Sequence, residues 1–215
     1  VCKAVLHFNT KKDEEVLVKV GVSAVDIAGA RKNVESEIPE WDFDKVRKDA
    51  RTAWNNYLSK IDITTSDKED KTIFYTALYH TAISPNLFTD ADGRYLGMDL
   101  EVHQGDTINP LYTVFSLWDT FRALHPVMTI IDPDLNNQFI NSLIKKHQEG
   151  GIYPMWDLGS NYTGTMIGYH AVPVIVDAYM KGYRNFDAKE AYKASLRAAE
   201  YDTTGIKCPA LVLPH

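Results

Sequence analysis

The protein has 215 residues, of which 45% are apolar, 24% charged and 11% aromatic, and its formal net charge is −6. This composition indicates a folded protein rather than a disordered one, its acidic balance argues against nucleic acid as a partner, and no apolar run approaches the ~20 residues of a membrane span. The two cysteines, Cys2 and Cys208, exclude both a disulfide framework and a cysteine-built zinc site.

The first 25 residues are predicted to be β-structure. A period of two in residues 15–25 places four valines on one face, as in a half-buried strand: Val16, Val18, Val20 and Val22. Residues 2–8 form a second candidate strand. Because two strands alone are only marginally stable, we expect them to belong to a larger sheet.

From about residue 27 the apolar period becomes helical. The first clear stripe runs through residues 41–61, and Ser66 with Glu69 forms a possible capping box for the next helix, which ends at Pro85. Further helices are predicted at residues 112–131, with a bend before Pro126, and at 134–148, 164–181 and 187–202. Asp187 and Glu190 are expected to cap the last of them.

A polar, irregular segment at residues 86–111 interrupts this helical series. It carries three carboxylates, Asp90, Asp92 and Asp99, and a loop of this length in a compact domain is usually functional or disordered. No β pattern is found after residue 27. The sequence therefore predicts a mainly helical chain that follows a short β region, with a domain boundary near residues 26–45.

Two Trp-Asp pairs are the strongest candidates for chemistry, Trp118-Asp119 and Trp156-Asp157, and Tyr162 and His170 follow the second pair. An aromatic face stacks on the apolar C–H surface of a sugar, and a carboxylate accepts hydrogen bonds from its hydroxyls. The same pairs also occur as a core Trp beside a capping Asp, and His170 can equally be a structural residue. No glycine-rich phosphate loop or nucleophile elbow is present.

Several segments in the same order resemble one known family. Residues 74–81, 115–126, 150–156 and 166–172 are similar to motifs of glycoside hydrolase family 92, the calcium-dependent exo-acting α-mannosidases. Residues 21–23 and 37–43 also resemble that family's interdomain region. The resemblance covers nearly the whole chain.

The resemblance implies an N-terminal β-sandwich followed by an (α/α)6-barrel, with the active site between them. On this basis residues 1–26 are the last strands of the sandwich, residues 27–62 the interdomain linker helices, and residues 63–215 the first part of a truncated barrel. The fold class expected is therefore mainly α, a partial (α/α)6-barrel preceded by sandwich strands. We expect the chain to be a fragment of a longer protein and to be inactive alone.

The reaction implied is hydrolysis of a terminal α-mannoside of a glycan, such as an N-glycan, with inversion and with α-1,2-linked mannose as the expected substrate. Trp118 and Asp119 would then help to bind the terminal mannose. Calcium is the implied cofactor, and its ligands and the catalytic base are expected downstream of residue 215, with no metal ligand in the fragment. Family members are mostly bacterial and exported, which implies a secreted or periplasmic protein.

One position departs from the family pattern. In the stretch that precedes residues 166–170, Tyr162 stands where the family has its general-acid Glu. The ordinary pKa of a tyrosine is about 10, against about 4.3 for a glutamate, so a phenol is a much weaker proton donor near neutral pH.

Three functions are compatible with a tyrosine at this position. The first is the family α-mannosidase, with Tyr162 or another group as the donor. The second keeps the fold but acts on mannose-1-phosphate diesters or activated mannosides, whose leaving groups need little protonation. The third is a mannose-binding protein that has lost hydrolysis.

Overall fold

The computed structural model describes residues 3–106, 108–200 and 206–207 of the chain. Regular structure in these residues is mainly helical, which confirms the expected class. The helices within the described residues are α1 (Ile27–Glu37), α2 (Phe43–Leu58), α3 (Lys68–His80), α4 (Leu117–Thr120), α5 (Leu124–Ile131), α6 (Pro133–Gly150), α7 (Ala171–Met180) and α8 (Ala188–Glu200).

Most of these helices are preceded by an aspartate whose side chain accepts a hydrogen bond from a backbone N–H of the first turn. Asp187 accepts from the backbone N–H groups of Lys189 and Glu190, so the cap predicted for α8 is confirmed. The cap predicted for α3 was one residue early, because Asp67 rather than Ser66 accepts the hydrogen bond, from the N–H of Glu69. The last predicted residues of α8, 201 and 202, lie outside the described residues.

Three two-stranded antiparallel ladders occur in the described residues. They pair β1 (Asn86–Leu87) with β4 (Tyr112–Thr113), β2 (Arg94–Leu96) with β3 (Val102–Gln104), and β5 (Asp157–Leu158) with β6 (Asn161–Tyr162). The expectation of no β-structure after residue 27 was therefore wrong. Strands of two or three residues are too short to produce an alternating pattern.

The N-terminal segment differs from its sequence-based expectation. Residues 3–22 form no strand with any described residue, and Val18, Val20 and Val22 are 66%, 74% and 76% exposed. An alternating pattern yields a strand only when a neighbouring strand accepts its backbone hydrogen bonds and covers its apolar face. The assignment of residues 1–26 to a β-sandwich remains a prediction, and residues 1–2 lie outside the described residues.

Two predicted helices are shorter than expected. The helix predicted at 112–131 is divided into α4 and α5, so Pro126 lies in the first turn of α5, where its missing N–H is tolerated. The helix predicted at 164–181 begins only at Ala171. Gly164, Met166 and Gly168 all have positive φ, which is incompatible with a right-handed helix.

The main core lies between α5, α6, α7 and α8. Its largest buried members include Phe115 before α4, Leu117 of α4, Met128 of α5, and Phe139 and Leu143 of α6. Small buried alanines let α7 and α8 pack against α6, namely Ala178 on α7 and Ala191 and Ala194 on α8. A second, smaller cluster contains Met98, Ile152, Tyr162 and Ile206. The chain segment of residues 111–117 thus connects the packed core to the exposed residue Trp118 of α4.

Candidate active site

The Trp118-Asp119 pair lies on the single turn of α4 and is open to solvent. Leu117 is fully buried in the core, so the next two side chains point outward, and Trp118 is 40% exposed. The hydroxyl of Ser116 donates a hydrogen bond of 2.6 Å to Oδ2 of Asp119. This contact holds the carboxylate beside the indole. An exposed aromatic face next to an oriented carboxylate is the combination that binds a sugar ring.

A guanidinium and two further rings extend this surface. The guanidinium carbon of Arg122 lies 5.7 Å from the centre of the Trp118 ring and 5.2 Å from that of Phe121. Phe121 in turn contacts His170, with 4.4 Å between ring centres. We call Trp118, Asp119 and Arg122 the α4 patch. Helix α7 begins directly after His170.

The β5–β6 hairpin lies beside the start of α4. Ser116 forms a β-bridge with Trp156, the residue before β5, and Asp157 pairs with Tyr162 across the hairpin. The segments that carry the two Trp-Asp pairs are therefore adjacent in the structure. The contact between them is made by backbone atoms, and their side chains lie in different surroundings.

Tyr162 is almost completely buried. It is 2% exposed and belongs to the apolar cluster of Met98, Ile152 and Ile206, against which Met155 also packs. The phenol therefore lies in an apolar cluster, whereas the indole and carboxylate of the α4 patch lie at the surface. A role for Tyr162 as a proton donor remains a prediction.

Asp157 has a different role from the exposed carboxylate that the sequence pattern allowed. It is fully buried, and Lys146 of α6, also fully buried, forms an ion pair with it at 2.9 Å. Thr113 donates its hydroxyl to Oδ2 at 2.7 Å, and the N–H of Phe115 donates to Oδ1 at 3.1 Å. Asp157 therefore cannot contact a sugar directly, but it holds the chain that leads into α4.

The carboxylates of the loop at 86–111 are occupied by structural partners. Asp90 accepts hydrogen bonds from the hydroxyl of Ser23 and the amide of Asn33, which attach α1 to this loop. The hydrogen bond from Lys32 lowers the pKa of Asp92 to about 2; partial burial opposes this effect and Arg94 adds to it. Within the described ranges, no three His, Cys, Asp or Glu side chains are grouped as metal ligands would be.

Two buried side chains, His125 and Tyr95, have shifted pKa values. His125 is 1% exposed between Phe115 and Phe139, and burial lowers its pKa to about 4, which the neighbouring Asn136 amide partly opposes. Burial, together with a 2.6 Å hydrogen bond to Glu149, raises the pKa of Tyr95. Both groups are neutral at pH 7, and neither lies among the exposed side chains of the α4 patch.

Comparison with known proteins matches the chain to one family. The model of the glycosyl hydrolase family 92 catalytic domain matches residues 29–209. An uncharacterized secreted glycosidase of Arthroderma benhamiae is 30% identical over 193 residues, which are 87% of this chain and 20% of that protein.

Solved structures agree with that match. A family 92 α-mannosidase of Bacteroides thetaiotaomicron is 37% identical with a TM-score of 0.78, over 82% of this chain and 24% of that one. A family 92 inverting mannosidase of the same organism is 32% identical with a TM-score of 0.78, over 86% and 25%. The chain thus spans about a fifth to a quarter of these relatives, and the agreement confirms the expected fold class, part of a helical barrel.

Proposed function

The chain belongs to glycosyl hydrolase family 92, and we propose that the whole protein is an exo-acting α-mannosidase that releases terminal mannose from glycans. Two similar structures are of a family 92 α-mannosidase and a family 92 inverting mannosidase. The observation that carries the proposal is the exposed Trp118-Asp119 pair, with its carboxylate fixed by Ser116. N-glycans with terminal α-1,2-linked mannose are the substrates we propose to test first.

The α4 patch supplies groups of the right chemistry for one hexose. The indole of Trp118 offers an apolar face to the ring C–H groups, and Asp119 accepts hydrogen bonds from sugar hydroxyls. Arg122 adds N–H donors beside the same ring. Inversion requires a general acid for the leaving oxygen and a general base for a water on the opposite face of the sugar. We propose that the base lies outside residues 1–215.

Calcium dependence is part of the same proposal. Among the described residues, no three His, Cys, Asp or Glu side chains are grouped as ligands of such an ion would be. Its ligands are proposed to lie in another part of the protein. Chelation of the full-length enzyme, followed by calcium repletion, tests this dependence.

A second candidate function follows from Tyr162. A phenol that is 2% exposed in an apolar cluster is a poor donor to an alcohol leaving group near neutral pH. A substrate whose leaving group departs without protonation would avoid that step, and mannose-1-phosphate diesters have this property. Binding of mannose without hydrolysis is the third candidate.

Leaving-group dependence separates these functions in the full-length protein. An α-mannosyl disaccharide needs protonation of its leaving oxygen, whereas a nitrophenyl α-mannoside and a mannose-1-phosphate diester do not. The α-mannosidase hydrolyses all of them with inversion, which the anomeric proton signal reports. Hydrolysis of the activated substrates alone supports the second function, and mannose binding without turnover supports the third. Absence of both binding and turnover contradicts the carbohydrate function.

Export is proposed as well. This proposal is supported by a curated relative that is described as a secreted glycosidase. We propose a secreted or periplasmic enzyme of bacterial origin that meets its glycans outside the cytoplasm. Fractionation of the native source, with detection of the full-length protein, tests the location.

A further inference from the structure

Asp157 joins three segments that are distant in the sequence. Its carboxylate accepts hydrogen bonds from the hydroxyl of Thr113 of β4 and the N–H of Phe115, at 2.7 and 3.1 Å, and forms an ion pair with Lys146 of α6 at 2.9 Å. All of its oxygen contacts lie in the protein interior, because Asp157 and Lys146 are both 0% exposed. The carboxylate is therefore fully committed to structure and is not available to a ligand.

Stability alone does not explain this arrangement. Removing two charges from water costs free energy, and well-packed apolar residues of similar volume are often as stable as a buried ion pair. A buried pair is therefore better explained by the geometry that it specifies. Here that geometry concerns residues 113–116, which lie directly before the α4 patch.

The backbone between the two hydrogen-bonded residues is strained. Val114 has φ of +65°, a left-handed conformation that a β-branched side chain rarely adopts. Asp157 holds both neighbours of Val114, one by its side chain and one by its backbone N–H. Strained residues persist where the surroundings fix them, and they are concentrated at functional sites. Without these two contacts Val114 would relax, and the direction in which the chain enters α4 would change.

The contacts continue from this segment to Asp119. Ser116 follows Phe115 directly, is bridged to Trp156 next to Asp157, and donates its hydroxyl to Asp119. A displacement at Phe115 therefore moves Ser116 and with it the Asp119 carboxylate. We propose that Asp157, with its counter-ion Lys146, is a positioning residue that orients Asp119 for the sugar. Its catalytic consequence rests on the proposed function, whereas its structural consequence does not.

A matched pair of double variants in the full-length protein tests the proposal. Lys146→Met with Asp157→Leu removes both charges and the acceptors, and Lys146→Met with Asp157→Asn removes the same charges but keeps an acceptor for Phe115 and a partner for Thr113. We expect kcat/KM on an α-mannoside to fall about tenfold or more in the Leu pair, since small misplacements at a site are costly. The Asn pair should recover most of that loss. Glu35→Gln, an exposed change of one charge on α1, serves as the control.

Crystal structures of both pairs provide a readout that does not depend on activity. In the Leu pair Val114 should leave the left-handed region and the Ser116–Asp119 hydrogen bond should open, while both features persist in the Asn pair. An unmoved segment with unchanged kcat/KM in a folded Leu pair overturns the proposal. If the wild-type protein turns over no mannoside, the proposed function fails, and the structures alone decide the positioning role.

A milder variant covers the case in which the Leu pair does not fold. Thr113→Val removes one hydrogen bond to Asp157 and is nearly isosteric, and Thr113→Ser keeps the hydroxyl. We expect Thr113→Val to lower kcat/KM about threefold and Thr113→Ser to restore most of it, with rates measured well below both midpoints of unfolding so that loss of folded protein is excluded. Equal activity of the folded Val and Ser variants contradicts the proposal.

Discussion

The hydroxyl of Ser116 donates a 2.6 Å hydrogen bond to Oδ2 of Asp119, the carboxylate next to the exposed indole of Trp118. Removing this donor in Ser116→Ala should let the carboxylate rotate, and we expect KM for an α-mannoside to rise about fivefold with little change in the melting temperature. Ser116→Thr keeps the hydroxyl and is the control. Steady-state kinetics on the full-length protein measures both, and an unchanged KM in the Ala variant contradicts an oriented Asp119.

Trp118 should contribute to sugar binding through its aromatic face. We expect Trp118→Ala to weaken binding of methyl α-mannoside about tenfold, since a stacked aromatic face contributes on the order of 1 kcal/mol. Isothermal titration measures the affinity. Trp41→Ala is the matched control, because Trp41 is also exposed and lies before α2, outside the α4 patch. Equal loss in both variants would show that the effect is not specific to the sugar site.

Tyr162 can be tested by a pair of substitutions. Tyr162→Phe keeps the apolar packing, so we expect hydrolysis of a nitrophenyl mannoside to change less than about twofold, because that leaving group needs no proton. Tyr162→Glu places a carboxyl at 2% exposure, where burial raises its pKa and keeps it protonated near neutral pH. Its rate on a disaccharide, relative to the nitrophenyl substrate, should therefore increase. If that ratio does not rise in folded protein, this position does not limit proton transfer.

His125 should make stability depend on pH. Burial lowers its pKa to about 4 in the folded protein, against 6.5 for the exposed side chain, so between these values the unfolded chain binds more protons. Stability is therefore lost as pH falls from about 6.5 to about 4, by up to about 3 kcal/mol. Replacing the ring in His125→Phe should flatten this part of the profile in denaturant titrations, whereas His7→Gln, at an exposed position, should not. An identical slope in His125→Phe would contradict a neutral His125.

The sequence predicted those features that depend on neighbours along the chain. The cap at Asp187 follows from such a local pattern. The sequence left open whether Trp118 lies in the core or at the surface, and the structure leaves its side chain 40% exposed. The role of Asp157 could not be predicted, because its partners Thr113 and Lys146 approach it only in the folded chain. The late start of α7 also escaped prediction, although Gly164 and Gly168, both at positive φ, are residues that disfavour a helix.

The burial of Tyr162 shows the same limit. Tyr162 stands at the position of the family's general acid, but the residues that enclose it come from other parts of the chain, namely Met98 and Ile152. Periodicity over residues 157–162 gives no information on those contacts. A motif identifies which residue occupies a position, and only the packing around it determines whether solvent or substrate can reach it.

The extended valines of residues 16–22 have a practical consequence for anyone who produces this chain in isolation. Their amide and carbonyl groups form no ladder with any described residue, and the side chains of Val18, Val20 and Val22 face water. Such a stretch readily recruits a matching segment from another molecule and seeds insoluble deposits. We expect Val20→Lys to reduce this association with little loss of stability, because Val20 is 74% exposed. Light scattering over time measures the aggregation of both proteins.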